Sequence, residues 1–67
     1  MRTIDEIERL RKEARVTRTE LCRRAGVHLS TYGRITRLEV SPTVRTLSAI
    51  DRALNAIVDD IRATVAA

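Results

Sequence analysis

Sixty-seven residues make a single domain, near the lower size at which an apolar core alone supports a fold. Apolar residues make up 43% of the chain, which excludes wholesale disorder, while one cysteine (Cys22) and one histidine (His28) exclude an internal disulfide and fall short of a tetrahedral zinc site. The net charge of +4 is unevenly spread: residues 9 to 37 hold nine Arg or Lys (Arg9, Arg11, Lys12, Arg15, Arg18, Arg23, Arg24, Arg34, Arg37) against Glu13 and Glu20, a surface suited to a polyanion.

Taken in chain order, Thr3 and Glu6 form a capping box, and Ile4, Ile7, Leu10 and Ala14 recur at helical spacing, so the first helix is predicted over about residues 4 to 14. Arg15 and Val16 link it to a second box, Thr17 with Glu20, which opens a helix over residues 18 to 25 with Leu21, Cys22 and Ala25 turned inward. Cys22 is expected to pack, not react. Gly26 stands where that helix must end, because glycine takes a left-handed C′ conformation without a Cβ penalty. Val27 then plugs the corner.

His28 or Ser30 is expected to cap a third helix running to about Arg37. Tyr32 and Ile35, three apart, share one face, Tyr32 expected in the core between the second, third and fourth helices with its hydroxyl near the rim, and Leu29, Gly33, Arg34 and Arg37 point elsewhere. Thr36 and Glu39 repeat the box spacing, but no sustained apolar run follows, so Leu38 to Val40 is read as a loop. Ser41-Pro42 reads as a hydroxyl N-cap followed by proline at the first helical position. From Val44 the apolar residues fall at Leu47, Ile50, Leu54, Ile57, Ile61 and Val65, one amphipathic stripe that Asn55 either leaves intact or breaks into two shorter helices. Strand patterns are absent. The expected fold is therefore all-α, with four to five helices in one domain over residues 1–67 and residues 55–67 as a dimerisation helix or extension.

Two short helices joined through Ala25-Gly26-Val27 have the spacing of a helix-turn-helix. The stretch from Arg18 to Arg37 (RTELCRRAGVHLSTYGRITR), followed by Ser41-Pro42-Thr43 and then Leu47, Ile50 and Leu54, resembles the lambda-repressor-like, Cro-type (XRE-type) helix-turn-helix family of DNA-binding transcription regulators. The resemblance covers about residues 4 to 54 and departs from the family in two places: Leu38 stands where the family has a glycine ending the third helix, and Tyr32 stands where it has Ile, Val or Trp.

This resemblance implies that the third helix reads the major groove of double-stranded DNA, with His28, Leu29, Ser30 and Arg34 at base edges and Thr17, Arg18, Thr19, Thr31, Arg37 and Thr43 on phosphates. Arg34 suits guanine O6 and N7, and Leu29 a thymine methyl. One such helix covers too few base pairs to be specific in a genome, so a homodimer on an inverted repeat is expected, its readers about 34 Å apart. Leu54, Ile57, Val58, Ile61 and Val65 supply the expected interface, since the stripe outruns what so small a core can cover. An antitoxin or regulatory adaptor, gripping another protein with the same stripe, is the rival reading.

No glycine-rich phosphate loop and no nucleophile with base and orienter are present, and the chain is too short to enclose a pocket, so catalysis, a cofactor and a small-molecule ligand are not expected. No apolar run nears the roughly 20 residues of a membrane span, and a cytoplasmic autorepressor fits the size.

Overall fold

A computed structural model describes residues 1–66 as four helices: α1 (Ile4–Glu13), α2 (Arg18–Ala25), α3 (Leu29–Thr36) and α4 (Val44–Ala66). The fold is all-α, with no strand among the described residues. Ala67, the last residue of the expected 55–67 segment, lies outside them. Helix α3 packs against α1 and α2, and α4 packs against the same two helices. Ile7 (α1), Leu21 and Cys22 (α2), Tyr32 (α3) and Ile50, Ala53, Leu54 and Ile57 (α4) form one buried cluster with Val16 from the α1–α2 link. Each large aliphatic member contributes about 1.5 to 3 kcal/mol by leaving water. That core holds the short α2–α3 pair rigid.

The starts of α1, α2 and α4 follow side-chain caps, with two corrections, while α3 begins after His28 without one. At α1 both halves of the Thr3–Glu6 box are made. At α2 only half is: Thr17 Oγ1 accepts from the Glu20 backbone N–H at 3.1 Å, but the Glu20 carboxylate turns away to Arg23 and Arg24. The second correction concerns α4. Its N-cap is Thr43, whose Oγ1 accepts from the Thr46 backbone N–H at 3.1 Å, so Ser41 and Pro42 precede the helix rather than open it. Three residues on from Thr43 an N–H is free to be capped, whereas Pro42 sits one position before the cap and only sets the direction of entry.

The helix ends share one geometry. After α2, Gly26 has φ +70° and the next N–H, from Val27, donates to the Cys22 carbonyl five residues back. Arg15 (φ +59°) and Leu38 (φ +61°) do the same after α1 and α3, followed by Val16 N–H to Arg11 O and Glu39 N–H to Arg34 O. Leu38 thus closes the third helix in the left-handed conformation that glycine takes most readily, at the steric cost a side chain meets there.

Helix α4 is continuous through Asn55, which is exposed and accepts from Arg2 Nη1 at 2.7 Å. Unbroken, it spans about 34 Å at 1.5 Å per residue. Its stripe meets two fates. Ile50, Leu54 and Ile57 are buried in the chain's own core and Val58 packs at its edge, so Leu54 and Ile57 are not available to an interface. Beyond them every residue from Asp59 to Val65 is exposed, with Ile61 41% and Val65 81% accessible. Val44, at the other end of the stripe, is exposed too.

Candidate nucleic-acid interface

An open groove runs between the start of α2 and the outer face of α3, lined by Arg18, Thr19, His28, Leu29, Ser30, Gly33, Arg34 and Arg37. It brings together seven of the ten side chains assigned to bases and phosphates from the sequence. Thr17, Thr31 and Thr43 lie outside it. Thr17 and Thr43 are occupied as helix caps, and Thr31 is exposed on α3.

Why these side chains face outward follows from α3 itself. Tyr32 and Ile35 are buried, which turns Leu29, Gly33, Arg34 and Arg37 to the opposite side of a helix of eight residues. Leu29 is 47% exposed, an apolar side chain displayed in the middle of a charged surface. Arg34 is exposed and makes no ion pair with any acid among the described residues. Arg37 lies back across the helix to Glu39, 3.1 Å from Oε2, and a Cβ at Gly33 would come within 3.2 Å of its Nη1. His28 occupies the N-cap position of α3 without capping it; its Nδ1 is instead hydrogen-bonded with Ser30 Oγ at 3.0 Å.

Beneath the groove lies a polar cluster that sequence reasoning missed. Glu8 Oε1 accepts from the Tyr32 hydroxyl at 2.5 Å and from Arg11 Nε at 2.8 Å, while Oε2 accepts from Arg11 Nη2 at 3.0 Å and Arg18 Nη2 at 3.1 Å. Arg11 Nη1 also donates to the Val16 carbonyl at 2.7 Å. Burial pushes the Glu8 carboxyl up, but the hydrogen bonds from Arg11, Tyr32 and Arg18 outweigh it and bring its pKa down to about 2. Burial, reinforced by that carboxylate, raises the Tyr32 hydroxyl well above its ordinary value. The ring lies in the core with side chains of α2 and α4, and its hydroxyl reaches on to α1. Only the i, i+3 spacing of Glu8 and Arg11 was visible in the sequence, and that spacing is common on solvated helices.

Cys22 is buried, and burial pushes its thiol up, away from the thiolate that reactivity needs. No helix among the described residues is long and apolar enough to cross a membrane.

A short α2, a glycine corner and an α3 that displays polar and basic side chains over a basic groove define a helix-turn-helix of the DNA-binding kind. Residues 7–57 match the profile of a helix-turn-helix family, and the chain belongs to that family, the lambda-repressor-like DNA-binding transcription regulators. Neither the curated proteins nor the solved structures gave a match. The matched stretch includes the whole groove and Glu8 and ends at Ile57, so the exposed turns from Asp59 onward lie beyond it.

Proposed function

We propose that this regulator is a repressor, acting on its own or a neighbouring promoter, that binds an inverted-repeat operator as a homodimer with one α3 in each of two successive major grooves. The observation that carries the reading is Arg34: an exposed guanidinium with no acid partner among the described residues, beside Leu29 and Ser30 in the same groove. A free fork at that place donates two bonds to guanine O6 and N7, and Leu29 packs on a thymine methyl beside it. Ser30, hydrogen-bonded with His28, reads less selectively. Arg18, Thr19 and Arg37, with Thr17, Thr31 and Thr43 at the margins, fix register on the phosphates. Arg37 first leaves Glu39, an exposed pair of little intrinsic worth.

The second copy joins through the end of α4, where Ile61 and Val65, one turn apart, remain uncovered, with Val58 at the edge of the core. Occupancy across a promoter excludes polymerase without further chemistry. The same exposed turns favour the adaptor reading, in which a different protein takes the second copy's place.

The test uses a duplex enriched from random DNA by the wild-type protein. Arg34→Ala is expected to lose about 1 to 3 kcal/mol on that duplex and to relax preference at one base pair. Arg37→Ala should weaken enriched and random duplexes alike and reduce the log–log salt slope by about one. If neither substitution changes affinity, α3 is not the reader. Sedimentation separates the two readings of the tail, a homodimer at micromolar concentration for one and a monomer for the other.

A further inference from the structure

We propose that Glu8 is a positioning residue for DNA binding: one carboxylate in α1 that sets both the guanidinium of Arg18 at the groove and, through the Tyr32 hydroxyl, the seat of the reading helix. This rests on the reading of Arg18 as a phosphate contact.

The geometry is specific. Glu8 is largely buried, its side chain 13% exposed, and its two oxygens accept four hydrogen bonds from three separate elements: Arg11 on α1, Arg18 at the first position of α2, and Tyr32 in the middle of α3. Arg11 carries the link on to the Val16 carbonyl in the α1–α2 connection. Arg18 is held from two sides, with Nη2 on Glu8 and its guanidinium carbon 5.9 Å from the centre of the Tyr32 ring. Its other N–H groups make no hydrogen bond among the described residues and are left for the groove it lines. A side chain ordered before binding has less rotamer freedom to lose when the phosphate arrives. The Tyr32 bond acts on the other element: Leu29 and Arg34 extend from the helix whose buried side is tied to Glu8, so the depth of α3 relative to the α2 N-terminus is set by one acceptor.

Charge and position make opposite demands here, which renders the proposal testable. As a charge, Glu8 opposes DNA, since it offsets one of the two guanidiniums beside it. Removing only that charge strengthens binding to every duplex and steepens the salt dependence. As a positioner, Glu8 favours the specific complex. Glu8→Gln then loses affinity for the enriched duplex, by about tenfold, the size of one charge-assisted hydrogen bond, while a scrambled duplex of the same composition is bound no more weakly than by wild type.

The experiment is a double-mutant cycle of Glu8→Gln and Arg18→Ala read by titration against both duplexes, at a temperature where circular dichroism shows each variant folded. The expected result is a fall in the enriched-to-scrambled affinity ratio for Glu8→Gln, and less than the sum of the two losses in the double variant, because Glu8 acts partly through Arg18. Tyr32→Phe, which keeps the buried ring and deletes only the hydroxyl arm, should lower the same ratio by about tenfold, again one charge-assisted hydrogen bond's worth, and it carries the test should Glu8→Gln fail to fold. A Glu8→Gln protein that binds both duplexes as well as or better than wild type, or strictly additive losses, overturns the proposal. For a Glu8→Gln protein that does not fold, an unchanged ratio in Tyr32→Phe does so. If Arg18→Ala alone costs nothing on either duplex, the phosphate reading of Arg18 fails and takes the proposal with it. If Arg18→Ala costs affinity and Glu8→Gln does not, the groove stands and only Glu8 falls.

Discussion

The groove between α2 and α3 and the projecting end of α4 are both open to solvent, but they are built oppositely. The groove displays charge over a braced floor: Arg34 and Arg37 stand on a helix whose other face carries buried Tyr32 and Ile35, with Glu8 tying that face to α1 and α2. The end of α4 displays Ile61 and Val65 on turns whose residues from Asp59 to Val65 are all exposed, tied to α2 by an exposed Arg24–Asp60 ion pair at 3.1 Å. Solvated charges on a packed helix are stable as they are. Two exposed helical turns with an apolar stripe, held by one solvated ion pair, gain little stability until something covers the stripe. The comparison teaches that one surface is finished before its partner arrives and the other is not, and substitutions should separate them.

The largest effect is expected under the groove. Tyr32→Ala removes a fully buried ring and its bond to Glu8, and should cost about 3 to 5 kcal/mol, enough to abolish much of a small domain's stability. Chemical denaturation of the wild type and variant measures it. A variant that melts like the wild type but reads different bases would make Tyr32 a reader and erase the contrast between floor and face.

Next comes the acid response of the same floor. Because the Glu8 carboxyl is brought from an ordinary 4.5 to about 2 in the folded chain, its contribution is complete above pH 4.5 and is lost as the pH falls toward 2. Linkage puts the whole at about 3 kcal/mol. Glu8→Gln should therefore be less stable than wild type at pH 7, with the gap closing between pH 4.5 and 2. A gap that stays constant through that range would show the carboxylate to be free of its partners in solution.

At the tail the readout changes from stability to assembly. Ile61→Asp with Val65→Asp should weaken self-association more than about tenfold, or 1.4 kcal/mol. Thermal melting of the monomer should stay within about 0.5 kcal/mol of wild type, as for exposed positions generally. Sedimentation across a concentration series reads the first and calorimetry the second. A double variant that remains dimeric would move the interface elsewhere, and one that unfolds would show that the tail supports its own core.

The smallest effect is expected at the helix end beside the groove. Leu38 is 77% exposed at φ +61°, so Leu38→Gly relieves a strained backbone without removing packing. The relief of about 1 to 2 kcal/mol is partly offset by glycine's greater freedom in the unfolded chain, leaving a gain of about 1 kcal/mol or less. A loss of stability would mean that the side chain makes a contact worth more than the strain.

Much of this was legible in the sequence, where the information is local. Thr3 with Glu6, Thr17 before Arg18 and Gly26 after Ala25 place their helix ends because a cap acts within a turn of itself. The inward and outward faces of α3 follow from Tyr32 and Ile35 by helical periodicity alone, and they gather the groove residues before any contact is known. Periodicity also located the stripe of α4.

Coverage was a different matter. Ile57 and Ile61 occupy equivalent positions four residues apart, yet one is buried and the other exposed, because how far the neighbouring helices reach along α4 is a property of their packing and not of the stripe. The left-handed closures at Arg15 and Leu38 have no glycine to mark them, Leu38 being visible only as a departure at a glycine position; each takes that conformation because the following N–H finds a carbonyl five residues back and the chain must turn there. Glu8 was invisible for a related reason. Its partners Arg18 and Tyr32 lie 10 and 24 residues away, and a carboxylate on a charged helix becomes a buried acceptor only when three helices close around it. The sequence by itself determined the helices, the caps of α1 and α2 and the outward face of α3, all set within a turn or two of chain; which side chains are covered and which polar groups meet was decided by tertiary structure, because burial and long-range hydrogen bonds exist only once the helices are packed.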